Sequence, residues 1–239
     1  MDNGGKKKYY RIYVMVDVSS SMQRIPDGET QSPHDRFLLL VPDLTLTLME
    51  SPQVRTTCWL SIVAFNETAH LVLPISPLRQ PPAVGEMPRG GQTDYAAALQ
   101  FLHESIRTDS TVIQSEAAQR STQVELARPL VFFISDGKPE VSRAAQPEDE
   151  WVPIRNALAN GTIGARIAAI GLDGADEDVL WKLSTGDAQH RNAFIATNEM
   201  SSTRLAETIL LAIRRSVQAS VLAGDMVIET PDGMRRIGG

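Results

Sequence analysis

The chain of 239 residues carries 23 Lys and Arg against 29 Asp and Glu, a net charge of −6, with 42% hydrophobic and 22% charged residues. These values exclude wholesale disorder, and the acidic balance lacks the basic footprint of a nucleic-acid-binding protein. The single cysteine, Cys58, excludes an internal disulfide framework and a cysteine-rich zinc site; in the apolar run Thr57-Cys58-Trp59-Leu60 it reads as a buried small hydrophobe.

No apolar run reaches the roughly 18 residues that a membrane span needs. Lys6-Lys7-Lys8 is not followed by a signal-peptide core, so the expectation is a cytoplasmic protein with no membrane partner. Tyr10 to Val16 is β-branched and aromatic, ends at Asp17, and predicts a buried strand. His34 to Met49 places Phe37, Leu38, Val41, Leu44 and Leu48 at helical spacing, with Pro42 a potential kink. Thr56–Phe65 and Ala69–Ile75 read as two strands. The link Asn66-Glu67-Thr68 is too short for a parallel crossover, so Ala69–Ile75 is expected to be an antiparallel edge strand. Pro77 to Gly91, rich in Pro and Gly, is loop.

Thr93 to Arg107 predicts a helix, and the polar stretch Thr108–Glu125 a mobile surface insertion. Pro129 to Ser135 is nearly continuous apolar, the mark of a strand covered on both faces. Trp151–Asn160 reads as a helix behind the acidic start Glu148-Asp149-Glu150. Ala165–Gly171 reads as a strand, Asp176–Leu183 as a helix, Ala193–Ala196 as a strand and Ser201–Ala219 as a long amphipathic helix. Strands alternating with helices predict an α/β fold. The form expected is a three-layer Rossmann-like sandwich: a central, mostly parallel sheet of about six strands, one antiparallel edge strand, and helices on both faces.

In such sheets function gathers at the C-terminal ends of strands. The first strand ends in Asp17-Val18-Ser19-Ser20-Ser21, and a later one in Ser135-Asp136-Gly137-Lys138. Between them Gly90-Gly91-Gln92-Thr93-Asp94 runs into a helix. The candidate metal residues are therefore Asp17, Ser19, Ser21, Thr93 and Asp136. All offer hard oxygens and none stands with His or Cys, a donor set for Mg²⁺, Mn²⁺ or Ca²⁺ rather than zinc. Asp-x-Ser-x-Ser lets a turn aim residues i, i+2 and i+4 at one point. The neutral hydroxyls leave the cation's charge uncancelled, which suits capture of an outside carboxylate more than a reaction. Asp94 fits helix-first-turn acidity as well as tuning of the site, and Lys138 fits a solvated loop as well as an acidic partner. His34, His70, His103 and His190 lack spaced carboxylate partners and are expected at surface or half-buried positions. No Gly-x-Gly-x-x-Gly or Walker pattern implies a nucleotide.

In order and in place on the elements, Asp17-x-Ser19-x-Ser21, Thr93 and Asp136 match the metal-ion-dependent adhesion site of von Willebrand factor A domains. The chain resembles that family from Tyr10 to Ala219. It is most similar to the bacterial tellurium-resistance (TerY-like) group, in residues 16–22, 59–65, 129–139 and 169–173. Two departures stand out: Ser20 replaces the usual glycine between the serines, and Gln23–Pro33 is inserted before the first helix. The resemblance implies that Ser19 and Ser21 coordinate directly and Thr93 directly or through water. Asp17 and Asp136 would hold coordinating waters. It further implies a partner protein that offers an Asp or Glu to the metal, in a stress-response or signalling assembly with kinase- or phosphatase-like members.

A Mg²⁺ phosphohydrolase of haloacid-dehalogenase type would also place Asp at the end of the first strand. Its acid/base Asp two residues on is Ser19 here, so no enzyme is expected. A subunit of a chelatase or AAA-linked complex is the other alternative. The expected division is an N-terminal extension at residues 1–9, the domain at 10–219 and a tail at 220–239. The tail reads as a hairpin around Pro231-Asp232-Gly233 and resembles the opening of a hedgehog/intein autoprocessing domain. Val221 stands where that family needs a nucleophile, and no autoprocessing is expected.

Overall fold

The computed structural model describes residues 6–81, 83–172, 174–187, 190–197 and 201–238. The chain runs through β1 (Lys7–Asp17), a 3-10 turn (Ser21–Gln23), α1 (Pro33–Met49), α2 (Pro52–Thr57), β2 (Cys58–Phe65) and β3 (Ala69–Pro77). It continues through α3 (Tyr95–Gln119), β4 (Val124–Leu126), β5 (Leu130–Ser135) and a small hairpin of β6 (Glu140–Val141) and β7 (Ala144–Ala145). Then follow α4 (Glu148–Ala159), β8 (Arg166–Gly171), α5 (Glu177–Leu183), β9 (Ala193–Ala196), α6 (Ser202–Ala223) and β10 (Met234–Arg236).

The main sheet has the order β10-β9-β8-β5-β1-β2-β3, with β4 beside the start of β1. Pairing is parallel from β9 through β8, β5 and β1 to β2. β3 is the expected antiparallel edge. Among the described residues this sheet has eight strands where about six were expected, and a second antiparallel edge strand, β10, closes the other side. Both additions are three-residue strands, too short to show a period of two in the sequence. Strand order reverses at β1, whose neighbours β2 and β5 lie on either side. That switch point opens a crevice at the C-terminal ends of these strands.

Successive residues of β1 face opposite layers. Tyr10, Ile12, Val14 and Val16 pack with Phe37, Val41, Leu44 and Leu48 of α1 and with Ile209, Ile213 and Val217 of α6. Tyr13 and Met15 pack with Leu99, Leu102 and Ile106 of α3 and Trp151 of α4. A central strand buried on both faces explains the continuous apolar runs of β1, β2 and β5. Cys58 is buried as expected, and burial pushes its thiol pKa up to about 12, so it stays protonated. Pro42 lies inside α1, which continues through it.

Several expectations are corrected. Thr108–Glu125 is not an insertion: α3 continues to Gln119, burying Ile113 and Ala117, and β4 follows. The polar turn in that stretch serves β1, because Asp109 accepts from the Tyr13 hydroxyl at 2.9 Å and Ser110 from Arg11 at 2.7 Å. Residues 7–9, assigned to the N-terminal extension, pair with β4 inside the sheet. The tail boundary at 219/220 falls within α6, and residues 220–238 contain no hairpin: their one strand, β10, pairs with β9. His34 is fully buried, with Nε2 3.0 Å from Pro88 O, rather than half-buried or at the surface. Asp173, the last residue of the segments compared with the TerY-like group, lies outside the described residues, as do residues 1–5 and 239.

Candidate metal centre

The five candidate residues converge on the C-terminal ends of β1 and β5 and on the loop entering α3. Asp17, the last residue of β1, is fully buried. Its Oδ1 accepts the Ser19 backbone N–H at 2.9 Å, which turns the chain so that Ser19 and Ser21 face the same side. Their hydroxyl oxygens lie 3.1 Å apart. Ser21 Oγ donates to Asp136 Oδ1 at 2.8 Å, joining residues 115 positions apart in sequence. Thr93 is buried and pinned through its backbone by a two-way bridge to Glu140, at 2.8 and 3.2 Å. A Cβ on Gly137 would lie 3.7 Å from Thr93 Oγ1 and 3.8 Å from Ser21 Oγ, so one small space separates the two hydroxyls from the Asp136-Gly137 turn.

Residues outside the candidate set hold this arrangement. Ser135, fully buried, donates to Asp17 Oδ2 at 2.6 Å and accepts the Gly137 N–H at 3.2 Å. Asn66, at the β2–β3 turn, donates to Gly90 O at 2.7 Å, while its own carbonyl accepts the Asp94 N–H at 2.9 Å. Gly90 and Gly91, at φ 86° and 89°, take the left-handed backbone needed to lay this loop on the β1 turn, where the Ser20 N–H donates to Gly91 O at 3.0 Å. Gln146 accepts the Tyr95 N–H at 3.0 Å and donates to Asp94 at 2.9 Å, fixing the start of α3. Beneath the loop, Tyr95 is buried edge-on to Phe133 and Trp151. Ser135 and Asn66 carried a signal only in position, one directly before Asp136 and the other at the end of β2. Gln146 carried none.

Asp94 serves as the N-cap of α3, accepting the Ala97 N–H at 2.8 Å. Lys138 pairs with Asp176 Oδ2 at 2.9 Å, which holds the Asp176 carboxyl below its ordinary range. His70 and His190 are exposed and His103 half-buried, as expected.

Electrostatics favour a cation here. Burial lifts the Asp17 carboxyl to about 7; the donated hydrogen bonds of Ser135 and Ser19 oppose this, and the Asp136 charge adds to it. Asp136 is also raised by burial, against the Ser21 hydrogen bond. A fully buried carboxylate, Asp17, and a half-buried one, Asp136, thus raise one another's cost of ionising, and neither forms an ion pair among the described residues. Nor does any group of three or more His, Cys, Asp or Glu form among the described residues, so the donors are two carboxylates and three hydroxyls. This all-oxygen set fits a hard divalent ion.

No family model and no curated protein matches the chain. Solved structures do. Proximal thread matrix protein 1 from the mussel byssus superposes with a TM-score of 0.53 at 18% identity, over 89% of this chain and 48% of that one. A further structure of the same protein, with a zinc-occupied MIDAS motif, gives 0.50 at 17%, again over 89% and 48%. The open conformation of the pilus adhesin SpaC from Lactobacillus rhamnosus GG gives 0.56 at 10%, over 89% and 31%. The chain spans about half the length of the mussel protein and under a third of SpaC. At these identities the likeness establishes the fold, that of a von Willebrand factor A domain. No helix among the described residues is long and apolar enough to cross a membrane.

Proposed function

We propose that the chain is a metal-dependent protein-interaction module, and that it catalyses no reaction. The observation that carries this reading is the convergence of Asp17, Ser19, Ser21, Thr93 and Asp136, from three separate segments, on one all-oxygen site. Ser19, Ser21 and Thr93 would hold a divalent cation, Mg²⁺ or Mn²⁺ before Ca²⁺, while Asp17 and Asp136 orient its waters. A bound cation supplies one thing, an electrophilic open position for a carboxylate. Neutral hydroxyls leave it enough charge to recruit an Asp or Glu from a partner, against the desolvation cost of that carboxylate. The zinc-occupied MIDAS motif of the mussel protein is in keeping with a divalent ion at such a site, although zinc is not the ion this donor set favours.

The docking face would be formed by residues 23–33, by residues 90–94 and by residues 137–145, which include the β6–β7 hairpin. Such a polar face gives modest affinity from this contact alone. Against turnover stands Ser19, a hydroxyl where an acid/base carboxylate would be needed. The resemblance to the tellurium-resistance group motivates the finer reading of a cytoplasmic stress-response or signalling assembly with kinase- or phosphatase-like partners. A pull-down from the source organism with wild type, Thr93→Ala and added chelator tests the proposal. Partners are expected with wild type alone; equal yields in all three would place docking elsewhere.

A further inference from the structure

A second charged feature lies at the opposite end of the sheet. A cavity of about 320 Å³ opens where β8 begins and α4 ends, at the low end of the roughly 300–1,000 Å³ usual for ligand sites. Among the described residues four arginines line it, Arg128, Arg155, Arg166 and Arg191, and no carboxylate does. In a chain of net charge −6 this is a strong local inversion of sign. Six other arginines, from Arg79 to Arg235, form ion pairs, whereas none of these four does among the described residues.

Two of the four are held rigidly. Arg155 is 7% exposed. Its Nε donates to Leu183 O at 3.0 Å and its Nη2 to Ser184 O. Arg191 donates to the same Ser184 carbonyl at 3.1 Å and stacks 4.0 Å from the centroid of Trp181. Its Nε is buried without a hydrogen-bond partner. Capping the carbonyls at the end of α5 accounts for one cation, but not for two on one oxygen. Burial, and then the Arg191 charge, lower the Arg155 pKa to about 10. Capping also does not explain Arg128 or Arg166, whose side chains make no hydrogen bond among the described residues and are free to close on a ligand. Thr185, tied to Ile167 by hydrogen bonds of 2.8 and 3.0 Å, fixes the wall between them.

We propose that this cavity binds a phosphate group, carried by a small phosphorylated metabolite or by a phosphorylated side chain. Guanidinium forks match phosphate oxygens bidentately, and four of them suit a dianion better than a monovalent carboxylate. The remaining lining is small, including Ala159, Gly164, Ala165 and Gly186, so a tetrahedral group can approach the arginines closely. Among the described residues no aromatic ring lines the cavity, so they offer no stacking surface to a nucleobase.

The test is calorimetric titration of the full chain with inorganic phosphate and with a phosphoserine peptide, at ionic strength held constant with NaCl. Saturable binding of at least one ligand, one per chain, is expected. It should weaken at least tenfold in Arg128→Gln/Arg166→Gln and stay unchanged in Thr93→Ala. The double variant alters exposed or half-exposed residues that hold no other group, and circular dichroism verifies its fold. Tighter binding of the peptide identifies a phosphorylated side chain as the source, and tighter binding of free phosphate a metabolite; either ranking supports the site. Absence of saturable binding of both ligands, or equal affinity in wild type and the double variant, overturns the proposal.

Discussion

Ser135 donates its hydroxyl proton to Oδ2 of Asp17 at 2.6 Å, although the two residues are 118 positions apart. Both are fully buried, one at the end of β1 and the other at the end of β5. The parallel pairing of those strands sets them side by side, so the sheet itself aims the carboxylate. Ser135 is then a positioning residue. Ser135→Ala leaves all five candidate donors in place, yet metal affinity should fall about 10-fold or more. Calorimetric titration with Mn²⁺ measures it; an unchanged affinity would show that Asp17 needs no such support.

The raised Asp17 pKa sets a pH dependence with a definite sign. Between its ordinary value of 3.8 and about 7 the folded, metal-free chain keeps a proton that the unfolded chain releases. This group's contribution is therefore present at low pH and lost as pH rises through about 7. From about pH 5 to pH 7 the contribution to the slope is at most about 1.4 kcal/mol per pH unit. Urea unfolding in chelator should show that loss of stability, and Asp17→Asn should flatten it. Saturating Mg²⁺ should offset it, because the cation favours the carboxylate. A profile identical in wild type and Asp17→Asn would contradict the assignment.

Asn66 holds the Thr93 loop from outside the site. Asn66→Ala removes its bond to Gly90 O and should cost about 1–2 kcal/mol of stability. It should also raise hydrogen exchange across residues 90–94 while leaving the strands protected. Exchange rates in that loop equal to wild type would show that the glycine turns hold it alone.

The parts of the fold that are long and two-sided were legible in the sequence. β1, β2, β5 and β8 read as apolar runs because both their faces are covered, and the β2–β3 link is too short for anything but a hairpin. The candidate metal residues stood out because three lie within one five-residue turn and the others at a helix entry and a strand end. What stayed hidden was set by tertiary pairing. Asp109 and Ser110 broke the apolar stripe of α3 on paper, but they meet Tyr13 and Arg11 of β1. β10 becomes a strand only because β9 offers a free edge. His34 reads as polar, yet it is fully buried, with Nε2 3.0 Å from Pro88 O and Nδ1 left without a hydrogen-bond partner.

The most direct test of the account counts ions. Mn²⁺ binding, followed by electron paramagnetic resonance, should give one ion per chain in wild type. In Ser19→Ala/Ser21→Ala, which removes two neutral donors and adds no bulk, that ion should be lost while circular dichroism stays unchanged. Equal stoichiometry and affinity in the two proteins would contradict the central claim that these hydroxyls hold the metal.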